Sequence, residues 1–276
     1  MTDADATLAN SGFYWREKNG VKVLVCGPLQ DAGFANGFST RLGGVSPFPE
    51  NDLNLAGFDD DSSENIFENR RRFLAVFDGK FELSTVWQVH GDAIKVIRTL
   101  DVAKNTDQKF DAIASDLPNL LVGVKTADCV PVLLGDPKTG AFAAVHAGWR
   151  GTVQLIVTKA IKLMRDEFGC DPSDLICAIG PAAGCMNYEI GQDVIDAFAA
   201  ALSSSEKYFT ATQPGHALID LHAANRDQAV AAGVSLVNIY IAPFCTMERT
   251  DLFFSYRKEK KTLGKTGRLL SVIGRK

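Results

Sequence analysis

Residues 120 to 147 constrain the fold of this chain more than any other part of it. Leu120 to Lys125, Val130 to Leu134 and Ala141 to Val145 are three apolar runs of strand length. Asp136-Pro137-Lys138-Thr139-Gly140 joins the last two and is strong turn chemistry. The expectation is a hairpin about Lys138, with Gly135 facing Ala141 and Val130 facing His146. Cys129 and His146 then lie diagonal to each other at the open end, within reach of one small ion.

Around this hairpin, strand-like and helix-like segments are mixed. Val21 to Gly27 reads as a strand, and the glycine-rich stretch Gly33 to Ser46 must turn tightly. Asp61 to Phe77 reads as a helix capped by Asp61 or Ser62, with Ile66, Phe73 and Phe77 at helical spacing. Thr85 to Val89 and Ala93 to Ile97 look like strands flanking His90-Gly91-Asp92. Gly151 to Phe168 carries one apolar stripe and is stopped by Gly169. Further helices are expected near Gln192 to Leu202 and Leu221 to Ala232, and a strand at Leu236 to Ile241. Short strands outnumber helices, which points to α+β with mixed sheets over a doubly wound α/β fold. No repeat, low-complexity tract or Pro/Ser-rich linker divides the chain. The expected organisation is one domain from residue 12 to 276 after a flexible N-terminus, residues 1–11.

Composition removes several classes of function. The chain has 276 residues, 46% apolar and 22% charged, which excludes disorder, collagen and coiled coil as the main state. Its 33 acidic and 29 basic residues give a net charge of −4, without the basic excess of a nucleic-acid binder. No run reaches the roughly 18 apolar residues of a membrane helix. MTDADATLANSG has no basic or apolar leader region, and the six cysteines contain no CxxC pair. These last two features lead us to expect a cytoplasmic protein with reduced thiols, and the charge balance and apolar run lengths no nucleic-acid or membrane partner.

Four histidines are few enough to weigh singly. His90 ends one strand candidate, and Cys129 and His146 end the hairpin strands, with Gly148 and Gly151 leaving space nearby. One thiolate and two imidazoles suit zinc, and three ligands leave a fourth position for water or substrate. The same Cys129–His146 pair could instead be a nucleophile with its base, with Arg150 as the cation that favours a thiolate. Spacing alone leaves both readings open.

STRLGGVS (39–46), DLNL (52–55), WQVHG (87–91), TADCVPVLL (126–134), AAVHAGWRGT (143–152), IGPAAGCMNYEIG (179–191), IDL (219–221), FFSYR (253–257) and TGR (266–268) occur in this order. Together they resemble the YfiH-type laccase-domain family, also described as multicopper polyphenol oxidase-like, as purine nucleoside phosphorylase and as peptidoglycan editing factor. The resemblance runs from about residue 12 to the end. It implies a single-domain αββα sandwich with mixed β-sheets, of the CNF/YfiH-like kind, and a zinc held by His90, Cys129 and His146. The segment 180–191 is implied to line or close the pocket. One departure is the connection Lys258 to Lys265, longer and more basic than a short turn. Residues 257–276 hold eight Lys or Arg against one Glu, and we read this stretch as a solvated hairpin.

The resemblance implies phosphorolysis of adenosine, inosine, guanosine and methylthioadenosine, and deamination of adenosine. Asp128 is the nearest carboxylate in sequence for moving protons, although it could equally cap a turn. Arg41, in a Gly-Gly turn, offers a guanidinium for phosphate, and Arg150 is the second choice; a structural salt bridge is the alternative for each. Asn54 of DLNL is placed on the substrate side with Arg41, while Gly43 and Gly44 are turn formers. The expected partners are a nucleoside and phosphate, and the expected state a monomer or homodimer. Family naming equally supports a peptidoglycan-precursor editing hydrolase. Copper-dependent phenol oxidation is disfavoured, because a multicopper site needs more than four histidines. A Cys-His hydrolase and a non-catalytic zinc protein complete the alternatives.

Overall fold

Successive residues of a strand point to opposite faces, so a strand that is apolar throughout must be covered on both sides. Leu120–Thr126, Val130–Gly135, Phe142–Ala147 and Leu269–Arg275 come close to this, apolar over most of their length and buried at all positions but Lys125 and Arg275. The computed structural model, which describes residues 3–48, 50–57, 60–104 and 107–276, shows how they are covered. One six-stranded mixed sheet runs in the order Phe13–Lys18, Val21–Cys26, Phe34–Ser39, Leu269–Arg275, Leu120–Thr126, Glu82–Ser84. A second runs in the order Ile239–Ile241, Ile176–Ile179, Val130–Gly135, Phe142–Ala147, Ala112–Ser115, Ile94–Ile97. A small three-stranded sheet holds Glu189–Gly191, His216–Ile219 and Phe209–Gln213.

The alternation divides the core into three layers. Leu24, Phe38, Val122, Val124, Leu133, Phe142, Ala144 and Ile273 meet between the two large sheets. Val21, Val23, Leu121, Leu270 and Val272, on the outer face of the first sheet, pack on Phe73 and Phe77 from the helix Ser63–Leu74 and its end. Val132, Leu134, Ala143 and Val145, on the outer face of the second, pack on the helices Ile156–Phe168, Gln192–Ala201 and Leu221–Ala231. The result is the expected αββα sandwich. Among the described residues no helix is long and apolar enough to cross a membrane.

Several local expectations change. The hairpin register is shifted by one residue: Gly135 pairs with Phe142, and Val130 with Ala147. The loop is centred between Lys138 and Thr139, because Asp136 N–H closes it on Ala141 O at 2.9 Å while its side chain accepts from Lys138 N–H at 2.8 Å. The long helix is two pieces, Trp149–Val153 and Ile156–Phe168, broken where Leu155 takes φ 61°. Residues 85–89 form no strand beyond one bridge from Trp87 to Lys109. Leu236–Asn238 is a 3-10 turn ahead of a strand confined to Ile239–Ile241. Of the N-terminal segment, Asp3–Asn10 form a short helix with Leu8 buried.

The basic stretch is a helix, Tyr256–Leu263, not a hairpin. Ser255 Oγ caps it by accepting from Lys258 N–H, and Gly264, at φ 72°, ends it. Its single acid, Glu259, is buried, while Lys258, Lys260 and Lys261 lie on the helix with it.

Phe142 is fully buried between the sheets and meets Phe34 edge-on at 6.4 Å. Phe142→Ala should lower the unfolding free energy by about 3–5 kcal/mol in chemical denaturation. A loss below about 1 kcal/mol, the scale of a surface change, would contradict this layer assignment.

Candidate metal centre

Ala112–Ser115 pairs antiparallel with Phe142–Ala147, Ala112 opposite Val145, so the next position outward sets Asp111 opposite His146. The two bond through the main chain, His146 N–H to Asp111 O at 2.8 Å, and through the side chains, His146 Nδ1 to Asp111 Oδ1 at 2.8 Å. Both side chains are buried. The Asp111 carboxylate also accepts the backbone N–H groups of Val89, His90 and Gly91 at 3.1, 2.9 and 2.7 Å. It thereby holds His90 at φ 60°, in the left-handed region that a residue with a Cβ normally avoids. This capture is also why residues 85–89 leave the strand.

His90, Cys129 and His146 come together at this point. One donor atom from each lies within 4.8 Å of the others, the only such group of three among the described residues. The imidazoles of His90 and His146 stand edge to face, with centroids 4.9 Å apart. Burial works to raise the Cys129 thiol, but His146 and then His90 more than offset it and hold it below the usual thiol range. Burial works to lower the His146 imidazole, but Cys129 and Asp111 hold it above its ordinary value. The pair is therefore polarised toward thiolate and imidazolium. The group can bind a metal: Asp111 occupies Nδ1 of His146 and leaves Nε2 free to ligate. A Cβ on Gly148 would stand 2.9 Å from Cys129 Sγ and 3.2 Å from His90 Cδ2, and one on Gly151 3.2 Å from Gly91 O. Both glycines supply the space the sequence suggested.

Asp128, at φ 87°, precedes Cys129 and is buried. One carboxylate oxygen accepts from Thr246 Oγ1 at 2.7 Å, the other from Arg257 N–H at 2.7 Å at the start of the basic helix. Burial pushes its carboxyl above the ordinary carboxylate pKa, against those hydrogen bonds. The segment 180–191 does reach the site. Ala183 N–H donates to Asp128 O at 2.9 Å. Burial, then the charge at Cys129, push the Tyr188 phenol up. Arg257 lies over the Tyr188 ring at 4.9 Å and donates to Glu189 O. Arg150 is exposed and stacks on Trp149 at 4.2 Å.

Arg41 is bound otherwise than expected. Its Nε and Nη2 grip Asp52 at 2.9 and 2.8 Å, Nη1 donates to Glu259 at 2.6 Å and to Thr250 O at 2.8 Å, and Nη2 also donates to Phe48 O. All five N–H donors of the guanidinium are thus used within the chain, which leaves none for phosphate. Asn54 is also engaged within the chain. Its Oδ1 accepts from Arg268 N–H at 2.8 Å and its Nδ2 donates to Asp61 at 3.0 Å. Both residues tie the glycine-rich turn to the C-terminal segment, and for Arg41 this is the structural salt bridge named above as the alternative.

Sequence reasoning missed Asp111, which sits in the unremarkable run KFDAIA, far from both partners. Tyr188 and Arg257 lay inside quoted motifs, but nothing local assigned them a role.

Residues 35–276 match the family described as multi-copper polyphenol oxidoreductase laccase. The chain belongs to this family. Purine nucleoside phosphorylase YlmD of Geobacillus stearothermophilus is 35% identical over 262 residues, covering 92% of this chain and 94% of its own. A Bacteroides thetaiotaomicron protein named purine nucleoside phosphorylase is 34% identical over 247 residues, 85% and 89% of the two chains. Among solved structures, Bacillus licheniformis hypothetical protein YfiH has a TM-score of 0.87 at 29% identity, and YlmD from Geobacillus stearothermophilus 0.87 at 33%. Each covers 96% of this chain and 99% of its own. These relatives bear out the laccase-like, YfiH-type fold.

Two substitutions test the geometry. Gly148→Ala forces Cys129 and His90 apart and should weaken metal binding about tenfold or more, read by metal titration. Unchanged affinity would show that the three side chains do not ligate together. Arg41→Gln strands Asp52 and Glu259 and should cost about 3–5 kcal/mol in chemical denaturation. An unchanged midpoint would show that Arg41 is not the anchor described.

Proposed function

We propose that this chain is a zinc-dependent purine nucleoside phosphorylase that also deaminates adenosine. The supporting observation is the His90–Cys129–His146 group, ordered by Asp111, in a chain whose relatives bear the name purine nucleoside phosphorylase. The donor set suits zinc: a thiolate and two imidazoles make three ligands of a tetrahedron and leave one position open. The Asp111–His146 bond matches the carboxylate–histidine pairing found behind metal ligands, and fixes the tautomer. A bound zinc supplies Lewis-acid activation of water for deamination at purine C6.

The chain's own residues supply the surroundings. Gly148 and Gly151 keep the approach clear, and Tyr188 gives it a half-buried aromatic wall beside Cys129. Asp128, with each carboxylate oxygen already accepting a hydrogen bond, acts as a positioning residue. It fixes the start of the helix Tyr256–Leu263, and with it Arg257, against the cysteine loop. Arg150, exposed on the short helix Trp149–Val153 that follows His146, is placed to orient an anionic or polar substrate group. In phosphorolysis a phosphate oxygen bonds to C1′, the C1′–N9 bond breaks, and the purine leaves with the electron pair and takes a proton from solvent. In deamination water adds at C6 and ammonia leaves. The polarised Cys129–His146 pair would also serve a cysteine hydrolase, and metal content separates the two.

The test incubates zinc-replete protein with adenosine, inosine, guanosine and methylthioadenosine, with and without phosphate, read by mass spectrometry. We expect free base and sugar 1-phosphate only with phosphate, and inosine from adenosine without it. Cys129→Ala should lose both activities and the zinc, which should stand near one per chain in the parent protein. Survival of all four nucleosides would refute the reading and leave a peptidoglycan-precursor hydrolase as the substrate class to assay. Full zinc occupancy in Cys129→Ala would refute the metal assignment.

A further inference from the structure

Three cations gather beside the metal centre without belonging to it. Lys125, near the end of the strand Leu120–Thr126, donates from Nζ to Val86 O at 2.5 Å. Its backbone N–H and carbonyl are both held by the Gln88 side-chain amide, at 2.7 and 2.6 Å. Lys125 is thus fixed to the segment that carries His90. Arg268 lies just before the strand Leu269–Arg275, whose Leu270 pairs with Lys125. Leu55 bridges Arg268 to Arg70: its N–H donates to Arg268 O at 3.0 Å, and its carbonyl accepts from Arg70 Nε at 2.9 Å.

This grouping opposes stability. Burial, then Arg70 and Arg268, push the Lys125 ammonium down to about 8, and Asp111 is the negative charge acting the other way. A folded-state value below that of the unfolded chain means that holding the charge costs stability below about pH 8. That cost is relieved as pH rises toward the ordinary lysine value. Like charges crowded in this way are offset when an anion binds among them. Arg268 is equipped for one. Of its guanidinium nitrogens only Nη1 is bonded among the described residues, to Thr266 O and Gly267 O at 3.1 and 3.0 Å, while the guanidinium stands 5.6 Å from the Tyr256 ring. No described residue takes Nε or Nη2, which suit a bidentate contact, and the lysine adds a compact point charge.

We propose that Lys125 and Arg268, with Arg70 beside them, form an oxyanion subsite that takes inorganic phosphate next to the metal centre. The proposal rests on the phosphorylase reading for its role, and assigns the attacking phosphate to this cluster in place of Arg41.

The test is calorimetric titration of inorganic phosphate into the zinc-loaded protein without nucleoside, using the parent chain, Arg268→Gln and Lys125→Met. Thermal unfolding confirms that each variant is folded. Phosphate should bind the parent chain, and each substitution should raise its Kd about tenfold or more, with a matching rise in the phosphate KM of phosphorolysis. Lys125→Met should also unfold at a higher temperature in phosphate-free buffer, because the buried charge is gone. No phosphate binding by the parent chain, or an unchanged Kd in a folded Arg268→Gln, overturns the subsite. If phosphate binds and the substitutions weaken it while every nucleoside survives intact, the subsite stands and the phosphorylase reading falls.

Discussion

The side chain of Asp111 lies directly across the sheet from His146, and its carboxylate carries the order of the whole site. With one oxygen it fixes the His146 ring; with both it collects the backbone N–H groups of Val89, His90 and Gly91. Two histidines that stand 56 positions apart in sequence are thereby referred to one buried group. Burial works to raise this carboxyl, yet His146 and the amides of Gly91 and Val89 hold it below the ordinary carboxylate range. Each amide would otherwise be an unsatisfied donor, at about 1–3 kcal/mol apiece. The left-handed turn at His90 persists because this carboxylate over-determines it.

The sandwich provides the frame for that group. Phe142 and Ala144 point between the sheets, and the same alternation carries His146 to that face at the strand's end. Ile113 likewise points between the sheets, and alternation brings Asp111 to the same side. Cys129 arrives from the preceding loop, through Asp128 in another left-handed conformation. Thr246, Arg257 and Ala183 all bond to Asp128. Stretches of chain far downstream of Asp128 therefore meet at the cysteine loop, and the site becomes a property of the closed fold.

What was legible in the sequence follows from range. The strand pair around residues 130–147 has its apolar runs and turn in one stretch, so both strands and the proximity of Cys129 to His146 could be read directly. The register was off by one because closing the loop depended on a single bond, Asp136 N–H to Ala141 O. Asp111 was invisible, since its partners lie 20 to 35 residues away and nothing in KFDAIA marks it. Arg41 misled for the same reason. A guanidinium in a glycine turn resembles an anion site until Glu259, 218 residues on, is seen to hold it. Lysines alone do not distinguish a solvated hairpin from a helix. The buried Glu259 and the Ser255 cap decide that stretch, and both act through the tertiary structure.

The central claim is that His90, Cys129 and His146 ligate one metal together. X-ray absorption at the zinc edge of the purified protein reads this directly. The account predicts a first shell with one sulfur at about 2.3 Å and two imidazole nitrogens at about 2.0–2.1 Å, completed by one light atom. A shell with no sulfur, or with four protein ligands and no open position, would contradict it.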